Sequence, residues 1–276
     1  MFAVDVSVRD NRLVLRGKAA DLDAAVREIE NLRRGGSLPE KRSESEIGNP
    51  GDSFYTSHKG KKISPASLAQ KKYIESMIKN PVTIASGPAG TGKTFLAVAC
   101  ALKFLEGGRF SKIILSRPIV EAGERLGYLP GDFEEKVNPY FAPLHSAFIS
   151  LVGARVLSRQ KASGVIEIIP LAYMRGRTLD DAFVILDEAQ NTTALQMKMI
   201  LTRLGPKGVL CINGDETQID LEKGVKSGLI NARNILSGIK GIKFIKFGER
   251  DVVRHPLVKK IVAAYEAVKI SGGNKG

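Results

Sequence analysis

The sequence predicts an α/β protein: a main domain with a mostly parallel sheet covered by helices on both faces, preceded by a small ββα element. Three observations predict it. From Ser64 onward, short apolar runs alternate with longer amphipathic stretches, the pattern of strands joined by crossover helices. One of those runs, Val82–Ser86, leads directly into a glycine-rich turn and a helical stretch. Residues 1–34 show period-two alternation followed by helical spacing.

Val4, Val6 and Val8 alternate with polar residues, Asp10-Asn11 marks a turn, and Leu13 and Leu15 alternate again, which is a hairpin pattern. Asp21 or Asp23 is a candidate cap for a helix with Ala24, Ala25, Ile29 and Leu32 on one face. Residues 35–62 have linker composition, rich in Gly, Ser, Pro and charge, with Phe54-Tyr55 and Ile63 as candidate contacts to the next domain. The main domain spans 63–270 and a short tail, 271–276, follows. Its predicted strands are Val82–Ser86, Lys112–Ser116, Val165–Ile169, Phe183–Asp187, Val209–Asn213 and Ile242–Phe247. Its predicted helices are Pro65–Lys79, Lys93–Glu106, Phe133–Val152, Leu195–Leu204, Lys226–Leu236 and Pro256–Ala267.

Composition narrows the classes of function. With 276 residues, 43% of them hydrophobic, the chain can bury one sizeable core plus an appendage. Met1–Ser7 lacks the basic start and long apolar stretch of a secretory signal. The longest uncharged run, Val137–Ala154, contains Pro139 and Pro143 and makes a poor membrane span. A soluble, cytoplasmic protein without a membrane role is the expectation. Cys100 and Cys211 lie far apart in apolar stretches without a CxxC pair, so buried free thiols are expected. His58, His145 and His255 show no metal-ligand spacing. The net charge is +13, of which +6 falls in residues 207–276. A basic C-terminal third suits a polyanion such as nucleic acid, or is simply a solvated surface.

Gly87-Pro88-Ala89-Gly90-Thr91-Gly92-Lys93-Thr94 fits GxxxxGK[ST] at every defined position, between a strand and a helix. Glycines let several backbone N–H groups converge on phosphate oxygens, and the following helix, with the candidate nucleotide contact Phe95 in its first turn, adds its positive end. Lys93 is placed to reach the β- and γ-phosphates of ATP, and the Thr94 hydroxyl to bind Mg²⁺. Phe183–Glu188 supplies a second anchor, a buried strand ending in an acidic pair. Asp187 is the candidate metal carboxylate. Glu188, directly after it, is placed to activate a water, which favours hydrolysis over transfer to another acceptor. A third segment, Asn213–Gln218, follows another apolar strand, and its Asp215 and Gln218 are candidates to contact the γ-phosphate or the attacking water.

Together these stretches resemble the PhoH family, P-loop ATPases related to the superfamily-one helicase core, over about Ile63 to Tyr265. The resemblance is carried by GPAGTGKTFLAVA, SRPIVEAGERLGYLPGD, EEKVNPYFAPL, PLAYMRGRTLDDAFVILDEAQNTT, QMKMILTRLG, NGDETQIDL and DVVRHPLVKKIV. It implies a RecA-like fold in which the strand before NGDETQ lies between the P-loop strand and the Asp187 strand. It also implies that Gln70 reads the adenine. Longer bacterial members begin with a complete KH-like module. Residues 1–34 are similar to its second half and lack a GXXG clamp, so RNA binding is not expected from them.

A single such domain needs a facing wall and an arginine finger, and a head-to-tail ring would supply both. The resemblance likewise points to a ring, a homo-hexamer. Candidate fingers are Arg254 and Arg250, then Arg175, Arg177 and Arg203, unless these pair with Asp251, Asp180 or Asp181 on the surface. Arg117, at the end of a strand, is placed to sense phosphate or touch a nucleic-acid strand. Tyr128, Phe133, Tyr140, Phe141 and Tyr173 either stack on bases or pack the core. The leading expectation is an ATP hydrolase, a possible RNA helicase, acting on RNA or single-stranded nucleic acid. The alternatives are a nucleotide-dependent adaptor for a partner endoribonuclease and a small-molecule kinase.

Overall fold

The computed structural model describes residues 53–119 and 138–253, the strand pair within residues 4–17, and helical backbone at Ala19, Leu22, Val26, Leu257 and Ile261. Residues 1–46 and 47–276 form separate compact units. In the first, β1 (Val4–Arg9) pairs antiparallel with β2 (Arg12–Gly17), with Arg9 opposite Arg12. Asp10-Asn11, the expected turn, lie outside the described residues. Helical backbone is already present at Ala19, so the helix starts ahead of the expected caps Asp21 and Asp23. Its proposed apolar face lies outside the described residues.

The second unit begins earlier than composition suggested. Within the expected linker, β3 (Tyr55–Thr56) pairs antiparallel with β4 (Lys62–Ile63). Phe54, Tyr55 and Ile63 are buried in the main core. The Tyr55 hydroxyl donates to Glu106 Oε1 at 2.8 Å, and Lys103 Nζ lies 4.3 Å from the Phe54 ring centroid. Residues 53–62 thus belong to the α/β unit.

The core of that unit is a six-stranded parallel sheet. Its strands are β5 (Val82–Ser86), β6 (Lys112–Arg117), β7 (Ile166–Pro170), β8 (Ala182–Leu186), β9 (Val209–Gly214) and β10 (Ile242–Lys246), in the spatial order β10-β5-β9-β8-β6-β7. β9 therefore separates β5 from β8, as the resemblance implied. Every residue of β8 and β9 is buried, which requires the continuous apolar runs seen in their sequence. The edge strand β10 turns Lys243 and Lys246 to solvent, a common guard on an open edge.

Six α-helices of the described residues cover the two faces. They are α1 (Leu68–Lys79), α2 (Lys93–Glu106), α3 (Ala142–Val152), α4 (Ala154–Ala162), α5 (Ala194–Leu201) and α6 (Gly228–Leu236). Tyr73, Met77, Leu96, Leu102, Phe148 and Leu157 of α1–α4 pack on Ala85, Leu115, Phe183, Ile185 and Cys211. Met197, Ile200, Leu229 and Ala232 of α5 and α6 pack on Ile84, Ile114, Val184, Leu186 and Ile212. Alternate strand residues thus enter opposite cores, so the sheet is covered on both faces. Both cysteines are buried free thiols.

Local signals set the helix starts. Ser67 caps α1 by accepting from Gln70 N, and Thr193 with Gln196 forms a capping box on α5. The expected Phe133–Val152 helix is shorter in its described part. A 3₁₀ turn over Asn138–Phe141 precedes α3, whose first turn contains Pro143. Leu257 and Ile261 are helical within the expected Pro256–Ala267 helix, whose remaining residues lie outside the described ones. Among the described residues no single helix is long and apolar enough to cross a membrane.

Candidate nucleotide-binding site

Because all six strands are parallel, their carboxyl ends share one rim, where ligands of open α/β sheets bind. Ser86 lies opposite Gly214, and Leu186 opposite both Ser116 and Ile212. Gly87, Asp187, Asp215 and Arg117 therefore emerge side by side. Asp187 and Asp215 border a cleft of about 440 Å³ lined also by Ala89, Lys93, Thr94, Glu188 and Gln218 together with one face of α3.

The curl of the P-loop depends on its glycines and on Lys93. Gly87, Gly90 and Gly92 have φ of 146°, 82° and 81°, conformations that suit glycine. At Gly87 a side chain is excluded outright, since a Cβ would lie 2.5 Å from the Phe247 carbonyl oxygen. Lys93, 8% exposed, donates from Nζ to the carbonyls of Gly87 (2.7 Å) and Pro88 (2.9 Å) and to Thr91 Oγ1 (3.2 Å). Burial lowers its pKa, and the nearby Asp215, Asp187 and Glu188 charges oppose that shift.

Across the cleft, Thr94 Oγ1 donates to Asp187 Oδ1 at 2.9 Å. Burial, reinforced by the adjacent Glu188 charge, pushes the Asp187 carboxyl up to about 6, against the opposing pull of Thr94, Arg117 and Lys93. A hydroxyl and a buried carboxylate side by side are hard oxygen donors that fit Mg²⁺. Among the described residues no cluster of three or more His, Cys, Asp or Glu forms a separate metal site.

Glu188 has a left-handed backbone, φ 53°, a sparsely populated conformation for a side-chain-bearing residue. Its carboxylate is held by two donors. Gln190 Nε2 donates to Oε2 at 2.6 Å, and Arg117 Nη2 lies 3.3 Å from Oε1. Gln190, fully buried, also donates from Nε2 to the Gln218 carbonyl (3.0 Å) and accepts from Asp215 N at Oε1 (2.9 Å). It ties the end of β8 to the turn after β9. Asp215 in turn accepts from Ala89 N of the P-loop (3.0 Å) and from Gln218 Nε2 (2.7 Å). Arg233 of α6 grips Glu216 of the same turn at 2.6 Å and 2.7 Å.

The predicted residues Gly87–Phe95, Asp187, Glu188, Asp215 and Gln218 therefore converge. Gln70, the expected adenine contact, stands next to the loop. It is buried beneath the P-loop, its Oε1 accepting from Ala66 N (2.6 Å) and its Nε2 donating to the Thr91 carbonyl (3.0 Å). In this structure it braces the loop. Arg250 is exposed in a 3₁₀ turn after β10, three residues before Val253, whose N–H donates to the Gly90 carbonyl. Arg177 pairs with Glu167 at 2.6 Å, away from Asp180 and Asp181. Arg254, Tyr128 and Phe133 lie outside the described residues. Phe141 is buried in the core, whereas Tyr173 is 56% exposed.

Two groups escaped the sequence reading: the Gln190 relay and the α3 wall formed by Pro143, Ser146, Ala147 and Ser150. Gln190 carried a signal, since it stands two residues after Glu188, but its partners are 25 and 28 residues away.

A parallel sheet with a P-loop, an acidic strand end and a cleft between them defines a P-loop nucleotide-binding protein. The sequence pattern of the PhoH-like protein family matches residues 62–266, and the chain belongs to that family. It is 57% identical over 208 residues to a PhoH-like protein of Bacillus subtilis, covering 75% of this chain and 65% of that one. A PhoH-like protein of Mycobacterium bovis is 46% identical over 278 residues, covering 95% of this chain and 79% of the relative. Protein PhoH of Escherichia coli K12 is 43% identical over 199 residues, covering 71% of this chain and 56% of the relative. The chain thus spans under two thirds of the Bacillus and Escherichia proteins. Among solved structures, the UvsW helicase of bacteriophage T4 is similar with a TM-score of 0.45 at 13% identity, covering 87% of this chain and 81% of that chain.

Proposed function

We propose that the chain hydrolyses ATP and couples turnover to RNA or single-stranded nucleic acid, as a subunit of a homo-oligomeric ring. The observation that carries the hydrolase reading is the position of Glu188. It follows Asp187 directly, at the rim of the cleft that holds Lys93 and Thr94. In the reaction, a water oxygen attacks the γ-phosphorus, its proton passes to the Glu188 carboxylate, and the bridging P–O bond to ADP breaks. Lys93 exchanges its carbonyl acceptors for phosphate oxygens, and the backbone N–H groups of the loop bind the same oxygens. Gln218, fixed by Asp215, orients the water from the side of β9. Thr94 and Asp187 would hold a Mg²⁺, which neutralises phosphate charge when bound.

A single P-loop domain needs an arginine finger from elsewhere, which supports completion by a neighbouring subunit with Arg250 or Arg254 in that role. The basic excess of residues 207–276 supports a polyanion partner. Phosphate release should be followed with and without a uridylate homopolymer, over a range of protein concentration. The proposal expects turnover per subunit to rise with both variables. Turnover indifferent to RNA would remove the nucleic-acid coupling, and no turnover at all would remove the hydrolase reading.

A further inference from the structure

Glu188 is held by two side chains of different character. Gln190 is fully buried and bonds at 2.6 Å while anchored to Asp215 N and the Gln218 carbonyl. It cannot leave without breaking up the rim. Arg117 is partly exposed, its contact with Glu188 is the longer one at 3.3 Å, and it does not border the phosphate end of the cleft. Its other nitrogen, Nη1, donates to the Tyr140 carbonyl at 2.7 Å, in the 3₁₀ turn ahead of α3. Arg117 is thus a displaceable restraint that joins the general base to α3, the opposite wall of the cleft.

We propose that Arg117 is a positioning residue that restrains Glu188 in the resting protein, and that a nucleic-acid phosphate releases it. The inference rests on the hydrolase reading above. A guanidinium paired with one carboxylate oxygen competes with water for that oxygen and fixes the side-chain rotamer. A phosphodiester offers the same cation two free oxygens that match its planar fork, whereas Gln190 already occupies one of the two oxygens of Glu188. Arg117 ends β6 on the rim where ligands of such sheets approach, and 21% of its side-chain surface is already open to solvent. When phosphate draws Arg117 away, Glu188 stays oriented by Gln190 and becomes free to accept from water. Nucleic acid then raises kcat without a change in ATP affinity.

The test uses the full chain and follows phosphate release with and without the uridylate homopolymer. Arg117→Ala is expected to raise kcat without RNA several-fold, to leave KM for ATP unchanged, and to abolish further stimulation by RNA. Arg117→Lys keeps the charge but loses the fork, so its resting turnover should fall between wild type and Arg117→Ala, with weaker stimulation. A purely structural role for Arg117 would instead lower kcat and thermal stability together. Resting turnover in Arg117→Ala at or below the wild-type value overturns the restraint. Stimulation by RNA that survives in Arg117→Ala overturns release through this residue. An inactive wild type means that the hydrolase reading itself has failed, an outcome separate from both.

Discussion

The two sides of the cleft are built by different means. The phosphate side, Gly87–Thr94, takes its shape from its own residues, three glycines with positive φ and a lysine bonded to carbonyls five and six residues away, with Gln70, Asp215 and Val253 bracing it from outside. The water side is a mesh of side chains from distant segments, in which Arg117, Glu188, Gln190, Asp215 and Gln218 hold one another. A locally built loop can bind its ligand in any state of the protein. A mesh of long-range contacts can be rearranged, and so is suited to gating. The difference predicts that substitutions on the phosphate side change binding, whereas those on the water side change the rate.

The largest effect on binding should come from Lys93→Ala. Loss of a charged donor to phosphate removes at least about 3 kcal/mol, roughly a hundredfold in Kd for ATP. Nucleotide-binding titration checks it, and unchanged affinity would break the assignment of the phosphate side. Next is Gln190→Ala, which leaves Asp215 N without its acceptor and Glu188 without its orienting donor. A fall in kcat of about tenfold is expected, with little change in KM and a loss of stability of about 1–3 kcal/mol. A raised KM with unchanged kcat would move Gln190 to the phosphate side.

Gly214→Ala sharpens the comparison through packing. A Cβ there would lie 2.5 Å from Leu229 Cδ2 and 2.9 Å from Gln190 Oε1. Overpacking of this kind costs about 1–3 kcal/mol, so thermal melting should show a lower Tm with a parallel loss of kcat. The smallest effect lies away from both sides. Burial, with the charge of Lys161, lowers the pKa of His145 on α3, and its Nε2 has no hydrogen-bond partner. The folded state therefore favours the neutral ring. That contribution is present above the unfolded value of about 6.5 and is lost as pH falls through the lower folded value. Tm should decline slightly on acidification, and His145→Gln should flatten that slope.

The same division explains what the sequence disclosed. The P-loop, the apolar run into Asp187-Glu188 and the turn bearing Asp215 and Gln218 are continuous segments whose chemistry follows from neighbours in the chain. All six strands of the main sheet were legible for that reason, with ends displaced by about one residue. Gln190 was missed because its role comes from partners brought close only by the pairing of β8 with β9. Gln70, assigned to the adenine by resemblance, has its amide bonded to Ala66 N and the Thr91 carbonyl, contacts that only the folded chain discloses. The β3–β4 hairpin was hidden in a segment of linker composition, since two-residue strands carry no periodic signal. Their burial depends on contacts with α2 such as that of Tyr55 with Glu106.

The most direct test of the central claim is a single-turnover comparison of wild type and Glu188→Gln, with ATP binding measured on the same samples. The account predicts that both bind ATP with similar affinity and that γ-phosphate release in Glu188→Gln is slower by about 10²–10⁴-fold. Equal rates of release would contradict the assignment of Glu188 as the base and, with it, the division between the two sides of the cleft.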